Sequence, residues 1–259
     1  MKRLTSTLTQ IAAAALLTVV AFFATSTDAQ AVVNGDDAGK NEGWMVAVAF
    51  ADETNGYNAQ FCGGTLVAEQ FVLTAAHCLT GLTAADIDVI AGRYNLSTNA
   101  GERIAVEEII RHPAFDDITL NNDVAILKLV AKVNAPVVTL SAAQSASATV
   151  FGWGETEAGY GAEKLQQAEL VMGDSAVCAK SFSDQGNLFS GKMLCAEGAQ
   201  TDACNGDSGG PLMAQDASGA FVQIGIVSWG AGCGQTGSFG VYTNVAEFID
   251  WINLTIQFM

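Results

Sequence analysis

From Met45 onward the chain is a succession of short runs rich in Val, Ile, Leu and Phe, broken by Gly, Asn and Asp. The first series is Met45–Phe50, Gly64–Val67, Phe71–Thr74, Ile87–Ala91, Ile104–Arg111 and Val124–Leu129. A second follows at Val137–Leu140, Ala148–Trp153, Gln166–Val171, Phe221–Trp229 and Gly240–Asn244. Runs of this length between turn-forming residues read as β-strands, and strands so regularly spaced build sandwiches or barrels. Only the last segment, Val245–Ile256, places Val245, Phe248, Ile249 and Ile252 at helical spacings of three and four, which predicts one amphipathic terminal helix. The 27 glycines sit in turn-like patches, and the chain has only 3 prolines.

The first 31 residues stand apart. Lys2 and Arg3 precede an apolar run, Ile11–Ala24, and Ala29-Gln30-Ala31 supplies the small-x-small pattern of a signal-peptidase site. The run is too short to span a hydrocarbon core of about 30 Å, so residues 1–31 read as a signal peptide and export is expected; the alternative is an earlier cut within residues 24–29 that leaves a short propeptide. The mature chain would begin at Val32. It divides best at the Ala131–Pro136 linker, into 32–133 and 134–259. A substrate cleft between two such halves is expected.

The formal charge of the 259-residue chain is −16, which disfavours nucleic acid and anionic membranes as partners. Six cysteines in an exported chain read as disulfides, although six allow fifteen pairings. Two histidines and no C-x-x-C pair make a zinc site a poor rival, and no metal or other cofactor is expected.

Three segments carry chemistry. Thr74-Ala75-Ala76-His77-Cys78 supplies an imidazole, Asn122-Asp123-Val124-Ala125 a carboxylate, and Gly206-Asp207-Ser208-Gly209-Gly210-Pro211 a hydroxyl flanked by glycines. A serine hydroxyl is a poor nucleophile at neutral pH and needs an adjacent base. His77 can take its proton and pass it to a leaving amine, while Asp123 would hold the ring in the required tautomer. An α/β-hydrolase would need the chain order Ser, Asp, His and alternating helices, and this chain has neither.

With Phe61-Cys62-Gly63-Gly64, Gly152-Trp153-Gly154, Ser228-Trp229-Gly230 and Gly240-Val241-Tyr242-Thr243, these segments resemble the trypsin-like branch of the chymotrypsin-fold serine proteases. The resemblance runs from Val32 to the terminal helix. It implies an all-β fold of two packed antiparallel β-barrels with a C-terminal α-helix. It implies catalysis by His77, Asp123 and Ser208, with backbone N–H groups of Gly206 and Ser208 as the oxyanion hole. It further implies disulfides Cys62–Cys78, Cys178–Cys195 and Cys204–Cys233.

Asp202, six residues before the serine, corresponds to the floor of the primary pocket. With Ala203, Ser228, Trp229, Gly230 and Gly240 it implies cleavage after Arg or Lys. Ala203 replaces a serine common in trypsins, which removes one acceptor for a lysine ammonium and predicts a preference for Arg. The family pairs a free N-terminal amine with the aspartate before the serine, here Val32 and Asp207. Some trypsins hold calcium in the loop matching Gly92–Glu108. Arg93 stands there where an acidic ligand would be needed, so no full site is expected. Partners would be peptide or protein substrates and protein protease inhibitors, with the enzyme itself a monomer. A non-catalytic binding protein on the same scaffold is the alternative.

Overall fold

A computed structural model of the chain describes residues 32, 35–40, 42–156, 158–184, 189–199, 201–230, 232–234 and 238–259. The proposed signal peptide, residues 1–31, lies outside the described residues. The strands are β1 Asp36–Asp37, β2 Met45–Phe50, β3 Gln60–Ala68, β4 Phe71–Thr74, β5 Ile87–Ala91, β6 Glu102–Arg111 and β7 Ala125–Leu129. They continue as β8 Thr139–Leu140, β9 Ser147–Gly152, β10 Gln166–Met172, β11 Met193–Glu197, β12 Pro211–Gln215, β13 Phe221–Gly230 and β14 Gly240–Asn244.

Strands β2-β3-β4-β7-β6-β5 close one antiparallel barrel. A second barrel runs β9-β10-β11-β14-β13-β12 and closes through the β12–β9 pairing. Closure removes the exposed sheet edges that would otherwise invite pairing with other chains. The sequence periodicity explains the layers. In β6, Ile104 and Val106 point inward while Ala105 and Glu107 are exposed, the two-residue alternation of a strand with one wet face. In β2, Met45 to Ala49 are all buried, because this strand faces its own barrel on one side and the second barrel on the other. Met45 and Ala47 of β2 cluster with Phe151 of β9 and Met213 of β12, and this seam locks the two barrels together. A buried hydrogen bond from Thr65 Oγ1 to Gln223 Oε1, 2.7 Å, crosses the same seam.

The terminal helix, Ile249–Phe258, follows a 3₁₀ turn at Val245–Glu247. Val245, Phe248 and Ile252 join the first barrel's core, so the end of the chain straps back across both halves. The second histidine, His112, is wedged edge-on between Phe248 and Trp251. Burial, with Lys192 nearby, pulls its pKa below the usual imidazole value.

Disulfides join Cys62–Cys78, Cys178–Cys195 and Cys204–Cys233 across sequence separations of 16, 17 and 29. In the loop-closure model each contributes about 3 kcal/mol. Strands β11 and β12 and the helix Ser175–Asp184 were not legible in the sequence. The first has no alternation, the second begins at a proline, and the helix places only Cys178 and Phe182 inward. Among the described residues no helix is long and apolar enough to cross a membrane.

Candidate active site

The imidazole is delivered by a stop in a strand. Strand β4 ends at Thr74, and the small buried pair Ala75-Ala76 lets the chain turn into the 3₁₀ segment His77–Leu79. The Cys62–Cys78 bridge pins that turn to β3, one residue from His77. The ring keeps 25% of its surface exposed.

Asp123 arrives from the neighbouring strand of the same barrel, just before β7, whose Ala125 pairs with Thr74 at the end of β4. Asn122 holds a left-handed backbone (φ 57°), a conformation Asn tolerates better than most residues. Its side chain is fixed at both ends. Nδ2 donates to Ala114 O at 2.7 Å, and Oδ1 accepts from Lys192 Nζ at 2.7 Å. The next residue, Asp123, is thereby turned fully inward.

The carboxylate of Asp123 is completely buried yet well supplied with donors. Oδ1 accepts the His77 backbone N–H at 2.8 Å, while Oδ2 lies 2.7 Å from His77 Nδ1 and accepts from Ser228 Oγ at 2.5 Å. Thr243 Oγ1 donates to the Asp123 carbonyl at 2.7 Å. A carboxylate only accepts, so the ring proton belongs on Nδ1 and Nε2 is left as the basic nitrogen. Removing one partner from such a buried set typically destabilises by about 3–5 kcal/mol.

Ser208 lies between the Cys204–Cys233 bridge and β12, in a loop bent by Gly206 (φ 92°) and Gly209 (φ 78°). A Cβ on Gly209 would fall 2.2 Å from Thr74 Oγ1 and 2.5 Å from Gly63 O. Only glycine lets this loop close onto the strand end that leads into His77. Gly63 N–H completes the contact by donating to the Ser208 carbonyl at 2.7 Å. The structure therefore brings the serine's backbone against the histidine's own turn, but the last link is open. Among the described residues no hydrogen bond joins Ser208 to His77, and Nε2 lies 3.8 Å from Cys78 Sγ. Catalytic hydrogen bonds are often long before substrate binds.

The peptide between Asn205 and Gly206 is held firmly. Its carbonyl accepts from Glu155 N–H at 2.7 Å, which turns the Gly206 N–H the opposite way. The Gly206 carbonyl in turn accepts from Gln60 Nε2 at 2.7 Å. Neither Gln60 nor Glu155 stood out in the sequence, because each acts through a contact more than forty residues distant in the chain. Ser228 lines the pocket as expected, and it has a second contact. Its hydroxyl is directed at Asp123.

A cavity of about 400 Å³ opens beside Ser208, bounded by Asp202, Ala203, Ser228, Trp229, Gly230 and Gly240. Asp202 is 2% exposed. Its Oδ2 accepts a long bond from Gly234 N–H, 3.4 Å, and its buried Oδ1 has no hydrogen-bond partner among the described residues. Burial raises its pKa to about 7. The Tyr242 hydroxyl is also buried and has no partner among the described residues, and a Cβ on Gly240 would come within 3.0 Å of both groups. Glycine at 240 keeps the floor open.

Asp207 is fully buried. It accepts from Gly154 N–H at 2.7 Å and from Cys204 N–H at 2.9 Å, and burial raises its pKa to about 7 as well, with nearby Asp202 adding to the rise. Val32 is buried among Val150, Ala168, Leu212 and Tyr242 in the second barrel's core. Among the described residues the only grouping of metal-ligand type is Cys62, His77 and Cys78, and its two sulfurs are bonded to each other rather than free as thiolates.

A hydroxyl in a glycine-bent loop and a carboxylate-bound imidazole, set on two closed six-stranded barrels, are the parts of a serine hydrolase of chymotrypsin-like fold. A family model described as Trypsin matches residues 32–252. The chain is 36% identical over 230 residues to a trypsin of Saccharopolyspora erythraea, covering 85% of this chain and 95% of the relative. It is 35% identical over 237 residues to trypsin-1 of Astacus astacus (85% and 98%), and 31% identical over 254 residues to phenoloxidase-activating factor 3 of Holotrichia diomphalia (87% and 72%). The chain belongs to the trypsin family of serine proteases.

Proposed function

We propose that this protein is a secreted endopeptidase that hydrolyses peptide bonds after Arg or Lys, Arg preferred. Ser208 attacks the scissile carbonyl, His77 takes its proton and returns it to the leaving amine, and Asp123 holds and stabilises the imidazolium. Gly206 N–H and Ser208 N–H receive the developing oxyanion, and losing one such donor typically raises a barrier by about 2.7–4 kcal/mol. Water then releases the acyl group. Nucleophile, base and oxyanion donors all come from the chain, so these steps require no cofactor.

The observation that carries the specificity is the Asp202 carboxylate. It is buried, lacks a partner at Oδ1 among the described residues, and lines the cavity that Ser208 also lines. A guanidinium entering that cavity would supply two N–H groups to an acceptor with open lone pairs. Ala203 is partly buried and has no hydroxyl, which favours the forked guanidinium over a point-like ammonium.

Activity would follow release of residues 1–31. The new Val32 amine would then neutralise Asp207, whose burial without a cationic partner is otherwise costly. The division into a 32–133 half carrying His77 and Asp123 and a 134–259 half carrying Ser208 belongs to the same reading.

The open link between His77 and Ser208 is the one observation that favours a second reading, a binding protein on the same scaffold. One set of assays decides between them. Arginyl, lysyl, phenylalanyl and alanyl peptide amides should be cleaved in that order, with the last two near background. An organophosphate should label Ser208 and abolish cleavage. Absence of labelling would leave the binding reading.

A further inference from the structure

Asn205 forms a partition between two cavities, with Gly206 on the wall of the second. On one side lies the Asp202 cavity, and on the other a second cavity of about 390 Å³ is bounded by Tyr57, Gln60, Phe61, Glu155, Asn205 and Gly206. A peptide whose scissile carbonyl points at the Gly206 N–H must pass over this partition. The residue before the bond drops into the first cavity, so the chain after the bond leaves across the second.

The second cavity has its own electrostatics. Of the described residues that line it, only Glu155 carries a charge. The Glu155 side chain is half-buried and held by a hydrogen bond. Oε2 accepts from Asn205 Nδ2 at 2.8 Å, and the Glu155 N–H is fastened to the Asn205 carbonyl at 2.7 Å. Tyr57 and Phe61 offer half-buried ring surface, and the Tyr57 hydroxyl is tied back to Gly161 O at 3.0 Å. A single pre-positioned anion beside aromatic walls suits a long side chain with an apolar stem and a cationic tip.

The geometry points to a second cation-selective subsite, in which Glu155 favours substrates with Arg or Lys at the first or second position after the scissile bond. This rests on the proposed cleavage after Arg or Lys and narrows it to peptides that are basic on both sides of the cut. Glu155 acts here as a specificity-determining residue. The bland alternative is that its carboxylate serves only to brace Asn205.

The test uses internally quenched peptides with Arg before the bond and Arg, Ala or Glu at the first or second position after it. Each kcat/KM is divided by that of the same protein on an arginyl p-nitroanilide, which places no amino acid in the second cavity. Arg should exceed Ala by about threefold and Glu by about tenfold at low salt, the range for a partly exposed charge pair. The preference should shrink in 0.5 M salt. Glu155→Gln keeps an acceptor for Asn205 Nδ2 and removes the charge, so it should bring all three ratios to within about twofold, and Glu155→Lys should invert the order. Equal ratios in the wild type, or a preference that survives Glu155→Gln, overturn the subsite. Failure to cleave the p-nitroanilide overturns the proposed function itself, so the two failures are distinct.

Discussion

Gln60, at the start of β3 in the first barrel, donates from Nε2 to the carbonyl of Gly206 in the loop that carries the serine, at 2.7 Å. The bond spans 146 residues of sequence. With the Glu155 N–H on the preceding carbonyl, it fixes the two peptide planes on either side of Gly206. Gly206 at φ 92° has no side chain to resist rotation, so these two acceptor contacts set where its N–H points.

Gln60→Leu keeps the bulk and removes the donor. Loss of a hydrogen bond of this kind typically costs about 1 kcal/mol, so kcat should fall about five- to tenfold with KM nearly constant. A peptide aldehyde that forms an oxyanion on Ser208 should lose affinity by the same factor. Benzamidine, which fills only the Asp202 cavity, should not. Parallel losses for both inhibitors would show that the bond merely supports the fold.

Asp123→Asn tests the buried half of the site. The amide can still accept from the His77 N–H but offers the wrong group to Nδ1, which drives the ring proton toward Nε2. A fall in kcat on the order of 10⁴ is expected, because the base then presents a donor to the serine. Stopped assays on an arginyl amide, with near-ultraviolet circular dichroism to verify folding, would measure it. A loss below tenfold would mean that Asp123 does not set the tautomer.

The sequence was most informative where chemistry and local backbone coincide. His77, Asp123 and Ser208 each sit in a short segment whose neighbours also have fixed jobs. Cys78 staples the His77 turn, Asn122 takes the left-handed conformation before Asp123, and Gly209 permits the approach of the Ser208 loop. Strands with apolar runs, such as β2, β4, β5 and β14, were legible to the residue. Legibility failed for contacts made across the barrels. Gln60 to Gly206, Ser228 to Asp123 and Thr243 to Asp123 each join distant strands, and an isolated Gln, Ser or Thr in a strand gives no sign of what it faces.

The pocket should respond to pH through Asp202. Burial raises this carboxyl to about 7, so it is ionised above that pH and increasingly protonated below it. An amidinium pairs with the ionised form. Inhibition by benzamidine should therefore be constant above about pH 7.5 and weaken by up to tenfold per unit between about pH 7 and 5. Asp202→Ser should bind weakly with no such slope. A flat profile in the wild type would place the charge elsewhere.

Asp207 makes a stability prediction for the chain in which Val32 is still joined to Ala31. Its pKa rises from 3.8 to about 7 on folding, so the folded state holds this proton more tightly than the unfolded state. The associated stability is fully present below about pH 4 and is lost as pH rises through about 7. Asp207→Asn removes the titration. The variant should gain stability relative to wild type as pH increases from 4 to 8, by up to about 4 kcal/mol, measured by urea denaturation. In a protein beginning at Val32 the difference should shrink or reverse if the freed amine pairs with the carboxylate as proposed.

Arg93 argues for stability without calcium. Its side chain is buried, Nε donates to Ala100 O at 2.6 Å, and the same guanidinium crowds Gly56, where a Cβ would meet Nη1 at 2.8 Å. The loop it braces is pinched by Gly92 and Gly101, both at positive φ, and a Cβ on Gly101 would strike Ala91 O at 2.1 Å. A fixed positive charge at the centre of this loop repels a divalent cation and does the bracing itself. Chelation with EDTA should shift Tm by less than about 1 °C, well under the several degrees that correspond to 1 kcal/mol in small domains. Arg93→Met, which keeps an apolar stem but leaves the Ala100 carbonyl unmet, should destabilise by about 1–3 kcal/mol. A Tm that falls on chelation and recovers with added calcium would show that the guanidinium does not hold the loop alone.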